Sequence, residues 1–400
     1  MRLTFFFFLP LTLFGDILAL YLSWYGDPTT TISIQWHTSD DAKYPHCKLL
    51  LPSGKTREFK APFHKVGDRF VYALSIEELN PDTLYTFQIE SDETLYSFRT
   101  APMHLEKPFR FVIGGDVFHA KQDFQKMCKE VIQQDPLFVV LGGDIAYATK
   151  INPLTDLSHF FLGTQGRWFS FLKEWKEQMI LPDGRVVPFL LIPGNHDLSS
   201  NNSQLFFDLF AFPGKHLYRT IDFGNYLTLL LLDTGHLDPI EGEQTLWLEN
   251  VLTEKKGRNF FQFPIYHIAA YPSYYSYTDQ TPKKIRKLWC PLFDRFALPV
   301  AFENHNHTWK KTYPIRGEKI DPYGTIYLGD GCWGVKPRVP HKAWYLEKTM
   351  SVNYVYAIEL SPESAEIRAI SSTGDLLDAL KVPNQFAPVS LGVSSSDEPD

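Results

Sequence analysis

The sequence predicts an α+β protein of two domains, an all-β sandwich followed by an α/β sandwich. Three observations predict it. Residues 17–100 alternate apolar and polar side chains in short runs, the period of half-buried strands. From Phe109 onward, apolar runs alternate with helical stretches, the pattern of a layered α/β domain. Five of those runs, 109–113, 137–141, 187–192, 261–265 and 299–302, are each followed by residues able to ligate a metal. At 400 residues and 44% hydrophobic content, the chain has room for two or three domains of about 100–200 residues each. A net charge of −7 offers no basic field for nucleic acid. The central region has no apolar run of the roughly 18 residues that a membrane span needs.

At the N-terminus, Arg2 precedes an apolar stretch, residues 3–14, that has the length of a secretory h-region and is too short to span a bilayer. Residues 1–16 are therefore expected to form a signal peptide, and the protein to be secreted, periplasmic or otherwise extracytoplasmic. No small-x-small cleavage site precedes Asp16. Residues 17–100 carry runs such as 32–36, 71–74 and 85–89, broken by Pro, Gly and Asp turns. Within them Leu79-Asn80-Pro81-Asp82-Thr83-Leu84-Tyr85-Thr86-Phe87 sets a turn before a strand and resembles fibronectin type III domains. Residues 101–108, with two prolines and mixed charges, read as a linker.

The second domain is expected over 109–381, with helices at 120–134, 241–255 and 282–296. An aromatic-rich insertion at 151–186, including Phe160, Phe161, Trp168, Phe169, Phe171 and Trp175, is expected to wall a site or to fill the core. Residues 382–400 read as a disordered tail, because Ser394 to Glu398 are polar and acidic throughout. Cys47, Cys128, Cys290 and Cys332 lack metal-type spacing; two disulfides and four free thiols are both open.

The donors are Asp116, then Asp144 with Tyr147, then Asn195, then His267, then His305 with His307. Open α/β sheets gather ligands at the carboxyl ends of their strands. Carboxylate, phenolate and amide oxygens mixed with imidazoles suit iron, manganese or zinc, whereas calcium takes oxygen alone. Asp144, in Gly142-Gly143-Asp144, is the candidate bridge between two cations, an arrangement suited to phosphoryl transfer. A single Gly-Asp would be an ordinary turn, and a single His267 a core histidine. Their ordered series is what points to a site.

The series Gly115-Asp116, Gly143-Asp144-Ile145-Ala146-Tyr147, Gly194-Asn195-His196-Asp197, His267 and His305-Asn306-His307 resembles that of the purple acid phosphatases, within the metallophosphoesterase superfamily. The text around His267, through Tyr271 and Ser273, and that after His307, through Tyr313-Pro314-Ile315, is similar to the family's as well. The resemblance covers roughly 17–375 and implies the plant-type layout, with a βαβαβ-cored metallophosphoesterase domain after the sandwich. It implies one metal, ferric iron, on Asp116, Asp144, Tyr147 and His307. A second, ferrous iron, zinc or manganese, would sit on Asp144, Asn195, His267 and His305. The implied activity is hydrolysis of phosphate monoesters, on a small phosphorylated substrate, by a hydroxide activated at the binuclear centre. His196 would stabilise phosphate or protonate the leaving group. Asp197 would orient the site or cap a turn, and Tyr271 would touch substrate or simply pack.

The chain departs from the family at three points. Asn304 replaces the glycine before His305, residues 272–304 lack the family's further histidine and carry Tyr274, Tyr275 and Tyr277, and Lys310 replaces a glutamate. These leave two alternatives: a phosphodiesterase or pyrophosphohydrolase on the same metals, and a non-catalytic surface or binding protein with a vestigial site. Gly329-Asp330-Gly331 repeats the Gly-Asp theme without a donor partner and reads as a turn.

Overall fold

The computed structural model describes residues 17–39, 43–90, 92–149, 157–198, 203–257 and 260–384, with the side chains of 157–161 also left aside. The expected signal peptide, Phe160 and Phe161 as side chains, and residues 385–400 of the expected tail lie outside the described residues. No described helix is long and apolar enough to cross a membrane.

Residues 17–100 form two four-stranded antiparallel sheets. One pairs Ala19–Ser23, Ile32–Ser39, Arg69–Ile76 and Phe63–Val66; the other pairs Thr56–Lys60, His46–Leu50, Leu84–Ile89 and Tyr96–Arg99. Strand alternation turns Trp36, Leu49, Tyr72, Phe87 and Phe98 into one buried cluster. The 101–108 stretch is not a free linker, for Ala101 and Leu105 are buried and Tyr226 donates to the Pro102 carbonyl at 2.8 Å. The sandwich domain also leans on the second domain, through edge contacts of Trp24 with Phe138 and Phe223.

The second domain has four layers built on two sheets. In the first sheet Phe189–Leu191, Phe138–Leu141 and Phe109–Gly114 run parallel, and Tyr354–Leu360, Ser364–Ser371 and Leu376–Pro383 are added antiparallel. In the second, Leu227–Leu231, Phe261–Ile268, Val300–Asn304 and Ile326–Gly329 run parallel, with antiparallel strands at both edges. Period-two alternation explains how these sheets meet. Phe111, Ile113, Phe138 and Val140 share a cluster with Leu229, Phe263, Ile265 and Phe302, so the sheets pack face to face. Val112, Val139 and Leu141 point the other way, onto helices Lys121–Gln133, Leu157–Gln178 and Ser203–Phe210. Leu230, Tyr266 and Ala301 likewise meet Thr245–Lys255, Gln280–Leu288 and Cys290–Arg295. Continuous apolar strands, buried on both faces, are what such layering requires.

Two details differ from expectation. The last strand runs to Pro383 and buries Val382, so the first residues assigned to the tail belong to the sheet. The helix expected at 241–255 opens as a π turn over Ile240–Gln244 before Thr245–Lys255. All four cysteines are free and buried, which resolves the open choice in favour of thiols. Of the aromatic insertion, Trp168, Phe171 and Trp175 are wholly buried in the core on the outer face of the first sheet.

Candidate metal centre

The parallel strands of both sheets end at one place and bring the donors there, His267 from within Phe261–Ile268 itself and the others from the loops that follow their strands. Asp116, Asp144, Tyr147, His305 and His307 all have positive φ, between 50° and 80°. Side chains avoid this region, and strain of that kind concentrates at functional sites. Asp116 and His305 follow the ends of Phe109–Gly114 and Val300–Asn304 within two residues. Gly143, at φ +89°, passes close under a donor: a Cβ there would lie 2.5 Å from His267 Nδ1.

The donors form two clusters that share Asp144. Asp144, His267 and His305 offer ligand atoms within 4.8 Å of one another, and so do Asp116, Asp144 and His307. Tyr147 Oη lies 3.1 Å from both Asp116 Oδ1 and His307 Nε2, in the second cluster. Asn195 Oδ1 lies 3.2 Å from His267 Nε2, in the first. All seven residues singled out as ligands are therefore brought together. Asp116, Asp144 and His267 are fully buried; Asn195 and His305 are half-buried and open toward solvent.

The donor set fits two cations. Asp144 Oδ2 is buried with no hydrogen-bond partner, although His267 Nε2 lies 3.3 Å away, and His305 Nδ1 is buried and unpartnered too. Buried lone pairs left without donors are costly unless a cation takes them. Burial pushes the His267 imidazole down, but Asp144 beside it outweighs this and lifts it to about 9. Burial and then Asp116 push the Tyr147 phenol well above its ordinary value, so a cation would have to displace its proton.

The supporting hydrogen bonds set the ligand loops. Asp116 Oδ2 accepts the His305 N–H at 2.8 Å, and Asp144 Oδ1 accepts the His196 N–H at 2.7 Å. Asp197 accepts the N–H groups of Ile145 (2.8 Å), Ala146 (3.3 Å) and Gly194 (2.9 Å), which ties the Asp144 loop to the Asn195 loop. His196 is half-buried, with its ring stacked on Tyr147 at 5.0 Å. Tyr271 is 1% exposed and packs against Tyr277, Tyr327 and Tyr345.

Residues 109–318, more than half of the chain, match the model of the calcineurin-like phosphoesterases. The chain belongs to that family. Residues 18–100 match the purple acid phosphatase N-terminal domain, so both domains of the expected layout are matched. Among curated relatives, purple acid phosphatase 21 of Arabidopsis thaliana is 23% identical over 306 residues, 72% of this chain and 64% of its own. An uncharacterised protein of Mycobacterium tuberculosis is 23% identical over 340 residues, 74% of this chain and 62% of its own. The chain thus spans under two thirds of the length of these relatives. The structure of purple acid phosphatase PPD1 from yellow lupin, Lupinus luteus, shares the fold at a TM-score of 0.74 and 15% identity, covering 92% of this chain and 74% of that one.

Within this phosphoesterase fold, the departures at Asn304 and Lys310 have structural explanations. The Asn304 side chain donates to the Tyr266 carbonyl at 2.9 Å and fills the space over Gly115 and Gly142. A Cβ on Gly142 would lie 2.3 Å from Asn304 Nδ2. Gly142→Ala is therefore expected to cost about 1–3 kcal/mol by overpacking. Asn304→Gly should recover part of that cost in the double variant, as urea unfolding of all four proteins would reveal; strict additivity would contradict the contact.

Lys310 is wholly buried, with Nζ 2.5 Å from Glu303 Oε2 and 2.9 Å from Asp330 Oδ1. Asp330 is thus buried and paired as well as placed after a glycine: its carboxylate also accepts the Ser273 N–H at 3.0 Å, and its carbonyl accepts the N–H groups of Asn306 and His307. The charge triad anchors the loop that carries both histidines. His236 is a further residue that the motif series does not mark. Its ring lies 5.7 Å from His267, and burial, then His267, hold it down to about 3, a neutral imidazole beside the cluster.

Proposed function

We propose that the chain hydrolyses phosphate monoesters at a centre of two metal ions bridged by Asp144. The observation that carries this reading is the sharing of one buried carboxylate by two separate donor clusters. One cation would be held by Asp116, Asp144, Tyr147 and His307, the other by Asp144, Asn195, His267 and His305. Bound there, the pair supplies Lewis acidity for a phosphoryl group and lowers the pKa of water. The residues around it do the rest. His196, at the half-buried rim, donates a proton or hydrogen bond to the departing oxygen. Asp197 keeps the His196 loop in register with the Asp144 loop through its three N–H acceptances. The charge triad under His305 and His307 keeps those rings facing the shared carboxylate.

Tyr147 favours ferric iron in the first position, because a phenolate is a strong anionic donor to it. Iron-loaded protein is expected to show a visible charge-transfer band that Tyr147→Phe abolishes. A band surviving in that variant would contradict the assignment.

The reaction is tested by turnover of nitrophenyl phosphate and of its bis-ester across acidic and neutral pH, with iron plus zinc or manganese. Faster monoester turnover is expected. Preference for the bis-ester would favour the diesterase alternative, which Tyr274, Tyr275 and Tyr277 in place of the family's histidine make specific. No turnover by folded, metal-loaded protein would leave the binding-protein alternative.

A further inference from the structure

Beside the loop of His305 and His307 stands a cationic corner that hydrolysis as described does not use. Arg338 lies on the irregular stretch between Ile326–Gly329 and Leu346–Met350, and its backbone N–H donates to the His307 carbonyl at 2.8 Å. Its guanidinium carbon is 4.8 Å from the ring centre of Tyr274 and 5.0 Å from that of Tyr275. Tyr275 in turn stacks on His305, with ring centres 4.8 Å apart and planes inclined by 25°. The N–H groups of Tyr274 and Tyr275 both donate to Asn306 Oδ1, at 3.1 and 2.8 Å. Asn306 sits between the two histidines, so the corner is fixed to the ligand loop itself.

Unlike some other arginines of the chain, this one has no anion beside it among the described residues. Arg286 meets Glu318, Arg110 meets Glu359, and Arg185 meets Asp135 and Asp183. Arg338 makes no ion pair among the described residues, and its Nη1 is buried without a hydrogen-bond partner. Ring contacts offset such desolvation only in part. The two tyrosines that frame it are 45% and 36% exposed, so the corner is open to an incoming molecule. A guanidinium in this setting suits a carboxylate or phosphoryl group, which it can grip with two parallel hydrogen bonds.

We propose that Arg338, framed by Tyr274 and Tyr275, binds a second anionic group on the leaving side of the substrate, so that esters with a negatively charged leaving group are preferred. The proposal rests on the phosphoester-hydrolase reading above. It also explains why tyrosines occupy this stretch: they fix and shield a cation one ring removed from His305.

The test compares phenyl phosphate with 4-carboxyphenyl phosphate in metal-loaded wild type, Arg338→Ala and Arg338→Lys. The ratio of kcat/KM values is the readout, because it does not depend on the fraction of protein folded. Wild type is expected to favour the charged ester by about tenfold, the scale of one charge-assisted pair. Arg338→Ala should erase the preference, and Arg338→Lys should restore it only in part. An equal ratio in wild type and Arg338→Ala overturns the proposal. Calorimetric binding of imidodiphosphate against orthophosphate makes the same comparison for a phosphoryl group and needs no turnover. If neither ester is hydrolysed but imidodiphosphate binds about tenfold tighter to wild type only, the hydrolase reading fails and the Arg338 site stands. Equal affinities for the two anions in wild type remove the site whether or not either ester turns over.

Discussion

Asp144→Asn is expected to abolish hydrolysis and metal loading together. The asparagine keeps the shape and one acceptor oxygen, so the His196 N–H that now meets Oδ1 at 2.7 Å retains a partner and the loop can hold. What is lost is the charge that both donor clusters share. The clusters would then fall to Asn195, His267 and His305 on one side and Asp116, Tyr147 and His307 on the other, each one carboxylate short. The loss should exceed the roughly 10–100-fold that removal of an outer partner of a metal ligand costs. Turnover, metal content and circular dichroism of the purified variant make the check. A folded variant that keeps both metals and activity would contradict the bridging role.

The largest effect on stability is expected from Lys310→Met. Methionine fills a similar volume but leaves Glu303 and Asp330, both fully buried, facing each other without a cation. Breaking one side of a buried ion pair costs about 3–5 kcal/mol, because the remaining charge is uncompensated. Burial alone would lower the Lys310 ammonium; Asp330 and Glu303 outweigh it and hold it above the usual lysine range. Burial likewise pushes the Asp330 carboxyl up, to about 6, against the pull of Lys310. Lys310 and Asp330 therefore each support the other's charge. The consequence reaches the site, since the Asp330 carbonyl accepts the N–H groups of Asn306 and His307. Denaturant unfolding of Lys310→Met, and of a variant that also carries Glu303→Gln and Asp330→Asn, is the measurement. The single variant should be the less stable of the two. A single-variant cost below about 1 kcal/mol would mean that the triad is not held as charges.

The donor-bearing strands were legible because two periods coincide in them. Strands such as Phe138–Leu141, buried on both faces, leave a continuous apolar run, and the residue types just beyond have few other reasons to recur. The closing meander Tyr354–Leu360, Ser364–Ser371 and Leu376–Pro383 is not legible in the same way. It adds antiparallel strands to the first sheet far from that sheet's opening segment, and no donor marks it. The charge triad was hidden for a related reason. Glu303, Lys310 and Asp330 sit on or beside three strands of one sheet, and only the pairing of those strands brings them within 3 Å. In the chain, Asp330 looks like any carboxylate after a glycine. His236 follows a different logic again. Its loop is wound around the Asp233 carboxylate, which accepts the N–H groups of residues 235–238, and neither that turn nor the histidine's nearness to His267 has a spacing that sequence could reveal. Asn304 shows the reverse case, a departure from the family pattern that the packing of Gly115 and Gly142 absorbs.

The central claim is a two-metal site bridged by one carboxylate. Elemental analysis of metal per chain, on protein loaded with iron and zinc and then freed of loose ions, tests it most directly. The account predicts two metal ions per chain, with both lost or only weakly held in Asp144→Asn. One tightly held ion, or two that survive that substitution, would contradict it.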